Sequence, residues 1–126
     1  MVKLEHILGF LDETFRPGTH PDYRNALNGL QVEGTPEVRR LGAAVDACEQ
    51  TVLAAAEWGV DLLLVHHGLF WGGLEPITGP HYRKLATLIR NEMSLYSLHL
   101  PLDAHPELGN NALLLEGMGL GAEGPF

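Results

Sequence analysis

Two adjacent imidazoles stand directly behind a short apolar run in Asp61-Leu62-Leu63-Leu64-Val65-His66-His67-Gly68. A second apolar stretch, Met93 to Leu98, runs into His99-Leu100-Pro101-Leu102-Asp103-Ala104-His105-Pro106. Imidazole nitrogen and carboxylate oxygen in one crevice suit borderline divalent ions such as Zn, Mn, Fe or Co, whereas a calcium site draws mostly on oxygen. Three firm protein ligands would leave positions open for water, which such an ion activates near neutral pH. His66, His67, His99, Asp103 and His105 therefore form the constellation that the fold would have to assemble.

Each of these residues also has a plainer reading. A histidine taken singly is more often a hydrogen-bonded structural group, and adjacency at a strand end brings the metal reading level with that one. Asp103 before Ala-His-Pro also fits an Asx-turn, and His99 and His105 also fit orienting or surface groups. Asp46 reads first as a helix cap and only second as a ligand. Asn28-Gly29 reads as turn chemistry, Phe70 and Trp71 as packing or subunit contacts, and His6, His20 and His81 as surface residues.

The elements that must hold this constellation follow from periodicity. Leu4, Ile7, Leu8, Leu11 and Phe15 recur at helical spacing, so the chain begins with an amphipathic helix that Arg16-Pro17-Gly18 stops. An irregular loop from Thr19 to Asn28 enters a strand over 29–33, and a second strand runs from about Arg39 to Val45. Asp46-Ala47-Cys48-Glu49 has capping-box spacing for a helix from Ala47 to Trp58, with Gly59 as its left-handed terminator. After the His-His strand comes a Gly- and Pro-rich loop from Leu69 to Pro80, then a helix over 82–91, the strand over 93–98, and a last helix capped by Asn110 or Asn111. Alternating strands and helices imply an α/β fold with a layered, largely parallel sheet and helices on its faces. In such sheets the carboxyl ends of the strands face the binding crevice, and the strands ending at His66 and His99 would lie about 5 Å apart if they were neighbours. Opposed side chains along an extended strand would part His66 from His67, so the chain must turn at His67, which Gly68 permits.

Composition narrows the class. The 126 residues read as one α/β domain, 1–126, with a formal charge of −8 from 8 Lys+Arg against 16 Asp+Glu. That charge counts against a nucleic-acid partner or an anionic membrane surface, since phosphate recognition relies on clustered Lys and Arg. The single Cys48 excludes an internal disulfide, and Lys3, Glu5, Asp12 and Glu13 break any signal-peptide or membrane-span reading of the start. The expectation is a soluble cytoplasmic protein.

Asn28-Gly29-Leu30-Gln31-Val32-Glu33-Gly34, Gly59 through Gly68, His99-Leu100-Pro101-Leu102-Asp103 and Gly109-Asn110-Asn111 together resemble the family of NGG-interacting factor three, whose bacterial members are labelled GTP cyclohydrolase I type 2 homologues. The resemblance implies an α/β protein assembled as a toroidal homohexamer with two divalent ions per subunit, His66 and His67 each binding one ion and Asp103 acting as a third ligand. It also implies a later histidine and glutamate, one helical turn apart, that have no counterpart before Phe126. The chain is therefore expected to be the N-terminal part of a longer family protein, or else a divergent short form with an incomplete site, with weakened or single-metal binding. The function implied is a metal-dependent hydrolase of the cyclohydrolase type acting on a nucleotide or related small molecule, with His99 or His105 as proton shuttle or orienting group. The alternative is an oligomeric metal-binding regulatory scaffold, without catalysis, that binds a protein or nucleic acid.

Overall fold

The computed structural model describes residues 1–124. The last two residues of the expected domain, Pro125 and Phe126, lie outside the described residues. A short strand β1 (Val2–Lys3) leads into helix α1 (Leu4–Phe15), and a 3-10 turn at Arg24–Ala26 precedes β2 (Gly29–Val32) and β3 (Glu37–Val38). Then follow β4 (Leu41–Asp46), α2 (Glu49–Glu57), β5 (Leu62–His67), α3 (Gly79–Arg90), β6 (Ser94–Ser97), α4 (Leu100–Asp103) and α5 (Asn110–Gly117).

Four strands make the main sheet in the order β2-β6-β5-β4. β4, β5 and β6 run parallel, as the two strand-helix-strand units require, while β2 lies antiparallel on β6. β1 and β3 form a separate antiparallel ribbon that periodicity did not reveal, since each strand has only two residues. The strands that end at His66 and His99 are indeed neighbours, with Val65 opposite Ser97. β4 and β2 are left as the two edges of the sheet.

The apolar run of β5 is covered on both faces. Leu63 and Val65 pack with Val52, Ala55, Leu88 and Leu95 on the side of α2 and α3. Leu62 packs with Leu4, Leu11, Tyr96 and Leu98 on the side of α1. Fully burying a side chain of this size contributes about 1.5–3 kcal/mol, so these two layers fix the register of β5. A shift by one residue would exchange the layers and carry His66 and His67 with them.

Two local expectations need correction, and one segment left unassigned from the sequence takes a definite form. β4 continues through Asp46, and α2 begins at Glu49 with Cys48 at its N-cap and no side-chain capping bond. Asp46 and Glu49 are both drawn elsewhere: Glu49 takes a two-pronged hydrogen bond from the Arg83 guanidinium at 2.5 and 3.0 Å. The segment after His99 is a helical turn, α4, because Pro101 in its first turn suits a helix start. The N-cap of α5 is Gly109, and Asn110 is the first residue of the helix.

Tyr96 is 1 % exposed beneath α1, and its hydroxyl donates to Asp12 Oδ1 at 2.9 Å. Burial, with the hydrogen bond and charge of Asp12 behind it, pushes the phenol well above the usual tyrosine range. The folded pKa is thus raised above the unfolded one, so this stabilisation is complete below about pH 10 and is lost as pH rises through the folded value. Tyr96→Phe is expected to cost about 1 kcal/mol in urea unfolding at pH 7. The difference from wild type should shrink above about pH 10, where the unfolded tyrosine ionises. An unchanged difference at alkaline pH would contradict this account.

Candidate metal centre

Parallel pairing delivers three chain segments to one edge of the sheet, and lateral hydrogen bonds then rotate the imidazoles. His66 Nδ1 lies 2.9 Å from the carbonyl oxygen of Leu98, at the exit of β6. His67 Nδ1 lies 2.6 Å from Asp46 Oδ1, at the exit of β4 on the other side. His99 Nδ1 lies 2.9 Å from Asp22 Oδ1. Carbonyl and carboxylate oxygens accept and do not donate, so in each neutral ring Nδ1 carries the proton and Nε2 keeps its lone pair. Histidine ligands of metal ions are oriented in this way, by an oxygen that holds the other ring nitrogen.

The three rings gather closely. Ring centroids are 4.7 Å apart for His66 and His67, 4.9 Å for His66 and His99, and 5.4 Å for His67 and His99. One ring nitrogen from each lies within 4.8 Å of the others. His66 and His67 thus converge although both lie within β5, where His67 is still paired with Asp46, so the turn expected at His67 does not occur. Asp103 stands beside them, with Oδ2 3.4 Å from His66 Nε2 and Oδ1 accepting from Asn110 Nδ2 at 3.1 Å. A lone pair on Nε2 facing a carboxylate oxygen is unfavourable unless a proton or a cation lies between them. The donor set of imidazole nitrogen and carboxylate oxygen fits a borderline divalent ion.

His99 is the most firmly built of the three, and its support comes from the loop before β2. The Asp22 carboxylate, with its side chain 6 % exposed, accepts from His99 Nδ1, Asn28 Nδ2, the Tyr23 N–H and the Leu100 N–H. Burial would raise its pKa, but these four donors outweigh burial and leave it below the usual aspartate value. Asn28 completes the clamp, because its Oδ1 accepts the His99 backbone N–H at 2.7 Å. Gln31 does the same for the loop after β5: its Oε1 accepts the Leu69 N–H, while its Nε2 donates to the carbonyls of Ala26 and Leu27. A Cβ on Gly68 would collide with that amide, which would have to shift away from its partners Leu69, Ala26 and Leu27.

The structure therefore brings His66, His67, His99 and Asp103 together. It does not bring His105 with them: His105 Nδ1 accepts the N–H groups of Glu107 and Leu108, and its ring packs edge-on against Phe15 at 5.1 Å. From sequence, Asp22, Asn28 and Gln31 carry only loop, turn or strand roles. Their contacts to His99 and Leu69 span 77, 71 and 38 residues, so spacing carries no trace of them. Asp46 had a signal, since it too ends a strand, but the capping-box pattern masked it.

A parallel-sheet α/β protein with a three-histidine cluster at the carboxyl ends of its strands is the class these observations define. The profile of Duf34/NIF3 (NGG1p interacting factor 3) matches residues 2–126, and the chain belongs to that family. It is 51% identical over 122 residues to the GTP cyclohydrolase 1 type 2 homolog of Deinococcus radiodurans, covering 97% of this chain and 46% of the relative. The homolog of the same name from Pyrococcus abyssi is 46% identical over 122 residues, again with 97% of this chain and 48% of the relative covered. The crystal structure of TTHA1606 from Thermus thermophilus superposes with a TM-score of 0.91 at 47% identity, covering 99% of this chain and 51% of that one. The chain thus spans about half the length of these relatives. No helix among the described residues is long and apolar enough to cross a membrane.

Two substitutions test this architecture. Asp22→Ala leaves four donors short of an acceptor, three of them part-buried, and is expected to cost about 2–4 kcal/mol in urea unfolding. It should also weaken Zn2+ binding about 10–100-fold in titration calorimetry, as loss of a ligand-orienting group does. Gly68→Ala should displace the Gln31 amide and cost about 1–3 kcal/mol. Wild-type stability in either variant would refute the clamp.

Proposed function

We propose that this chain binds a divalent ion through His66, His67 and His99, with Asp103 beside them, and serves a hydrolase of the cyclohydrolase type acting on a nucleotide or related small molecule. One observation carries the reading: all three imidazoles commit Nδ1 to an oxygen acceptor and keep Nε2 for a cation. Asp22, Asp46 and Asp103 stand around the three imidazoles, so the crevice is electrostatically suited to a divalent ion. When bound, such an ion supplies Lewis acidity and a water of lowered pKa.

The chain's own residues do the remaining work. Asp46 and Asp22 set the ring orientation of His67 and His99, and the Leu98 carbonyl sets that of His66. Asp103 is placed to complete the ligand set or to accept a proton at Oδ2. His99 acts in this reading as a ligand, because both of its ring nitrogens are occupied by that role, and proton shuttling falls to Asp103. His105, tied to its own turn, takes no part in the chemistry. The name of the curated relatives supports a purine nucleotide as the first substrate to try. Exposed apolar side chains on α5 and β4, among them Leu113, Leu114 and Val45, support self-association.

Metal content by elemental analysis tests the binding step. The wild-type chain should carry at least one ion, and His67→Ala should lower that content severalfold while keeping a native circular dichroism spectrum. GTP turnover in the metal-loaded protein should fall at least ~100-fold in the same variant, by analogy with the loss of other transition-state contacts. Equal metal content in the two proteins would sink the site. Full metal content without turnover of any nucleotide would favour the regulatory scaffold.

A further inference from the structure

Among the described residues, one buried side-chain nitrogen or oxygen has no hydrogen-bond partner, the indole Nε1 of Trp71. The contrast with its surroundings is sharp, since nearby Asp22 satisfies four donors at once. The Trp71 ring packs edge-on to His99 at 4.6 Å and to His67 at 5.6 Å, with Tyr23 6.3 Å away on the same indole. It thus touches two of the three clustered histidines. Buried orphan donors are rare in native proteins, and a missing water, ion or ligand is a common reason for one. A ring that only packed against the imidazoles would need no N–H at all.

The loop that carries Trp71 is fixed in place. Gln31 Oε1 holds the Leu69 N–H, Asn25 Nδ2 donates to the Trp71 carbonyl at 3.4 Å, and the Gly73 N–H closes a turn on Phe70 at 2.9 Å. The backbone that carries the indole is therefore held, and the ring itself is kept beside the cluster by its packing against His99 and His67.

We propose that the Trp71 N–H donates to the oxygen of a non-protein ligand accompanying a divalent ion at His66, His67 and His99. Water and phosphate share this acceptor chemistry. The inference rests on the metal reading given above, and it assigns Trp71 to recognition of what the ion brings with it. Trp71 then acts as a specificity donor at the centre, and the ligand class is an oxygen acceptor, neutral or anionic.

Trp58, 74 % exposed, gives an internal control for an indole NMR experiment on the native chain. The two indole N–H resonances are assigned with Trp58→Phe, and Zn2+ is added first alone and then with inorganic phosphate. The Trp71 resonance should move downfield while that of Trp58 stays in place. Movement with Zn2+ alone identifies water as the acceptor, and movement only after phosphate identifies a phosphate oxygen. In calorimetry Trp71→Phe should bind the ion, or phosphate in its presence, about tenfold more weakly.

Stoichiometric Zn2+ binding with an unmoved Trp71 resonance overturns the proposal and leaves the metal reading intact. Absence of Zn2+ binding by the wild-type chain overturns both. If Trp71→Phe fails to fold, the resonance of the native protein decides alone.

Discussion

Everything at the carboxyl edge of this sheet depends on where three imidazole protons are spent. A neutral histidine has one N–H, and whichever nitrogen carries it cannot bind a cation. Here Leu98, Asp46 and Asp22 each take the Nδ1 proton, from a carbonyl at the end of β6, a carboxylate at the end of β4 and a carboxylate in the loop before β2. The sheet order makes this possible, because β5 has β6 on one side and β4 on the other. His66 can lean one way and His67 the other without the strand changing register. The apolar layers beneath then serve a second purpose, since they hold the exits of the three strands level.

The supports are unequal, and the inequality has a physical cause. Asp22 and His99 are sealed, with side-chain exposures of 6% and 11%. Asp46 and His67 are 62% and 41% exposed, so water screens that pair and its bond is individually weaker. His99 is thus the fixed point of the cluster, and His67 is the ring most readily turned.

Much of the architecture could be read from the chain. The runs over 61–67 and 93–98 announce parallel strands because both faces of each are buried, and Gly59 announces the end of α2 because its φ of +65° favours glycine. His66, His67 and Asp103 stood out because they follow such runs directly. Asp22 did not, since nothing local distinguishes a buried carboxylate in a loop from a solvated one. Asp46 was misassigned for a different reason: Asp and Glu three apart fit a helix start, and only the neighbouring strand reveals a stronger partner. His105 shows the reverse case, in which a residue type suited to the chemistry is engaged in closing a turn. Local sequence reports backbone choices well, and side-chain partners far along the chain poorly.

β4 is an edge strand, and its last residue, Asp46, orients His67. These two facts couple surfaces that would otherwise be independent. Whatever docks along that edge and shifts Asp46 changes how well His67 presents its Nε2. By thermodynamic reciprocity, an ion bound at the cluster would then alter the affinity of such a partner by the same factor. A strand left unpaired at the margin of a sheet is usually considered an aggregation hazard. In the proposed reading it would also be a lever, through which association along β4 and ion occupancy at the cluster would report on each other.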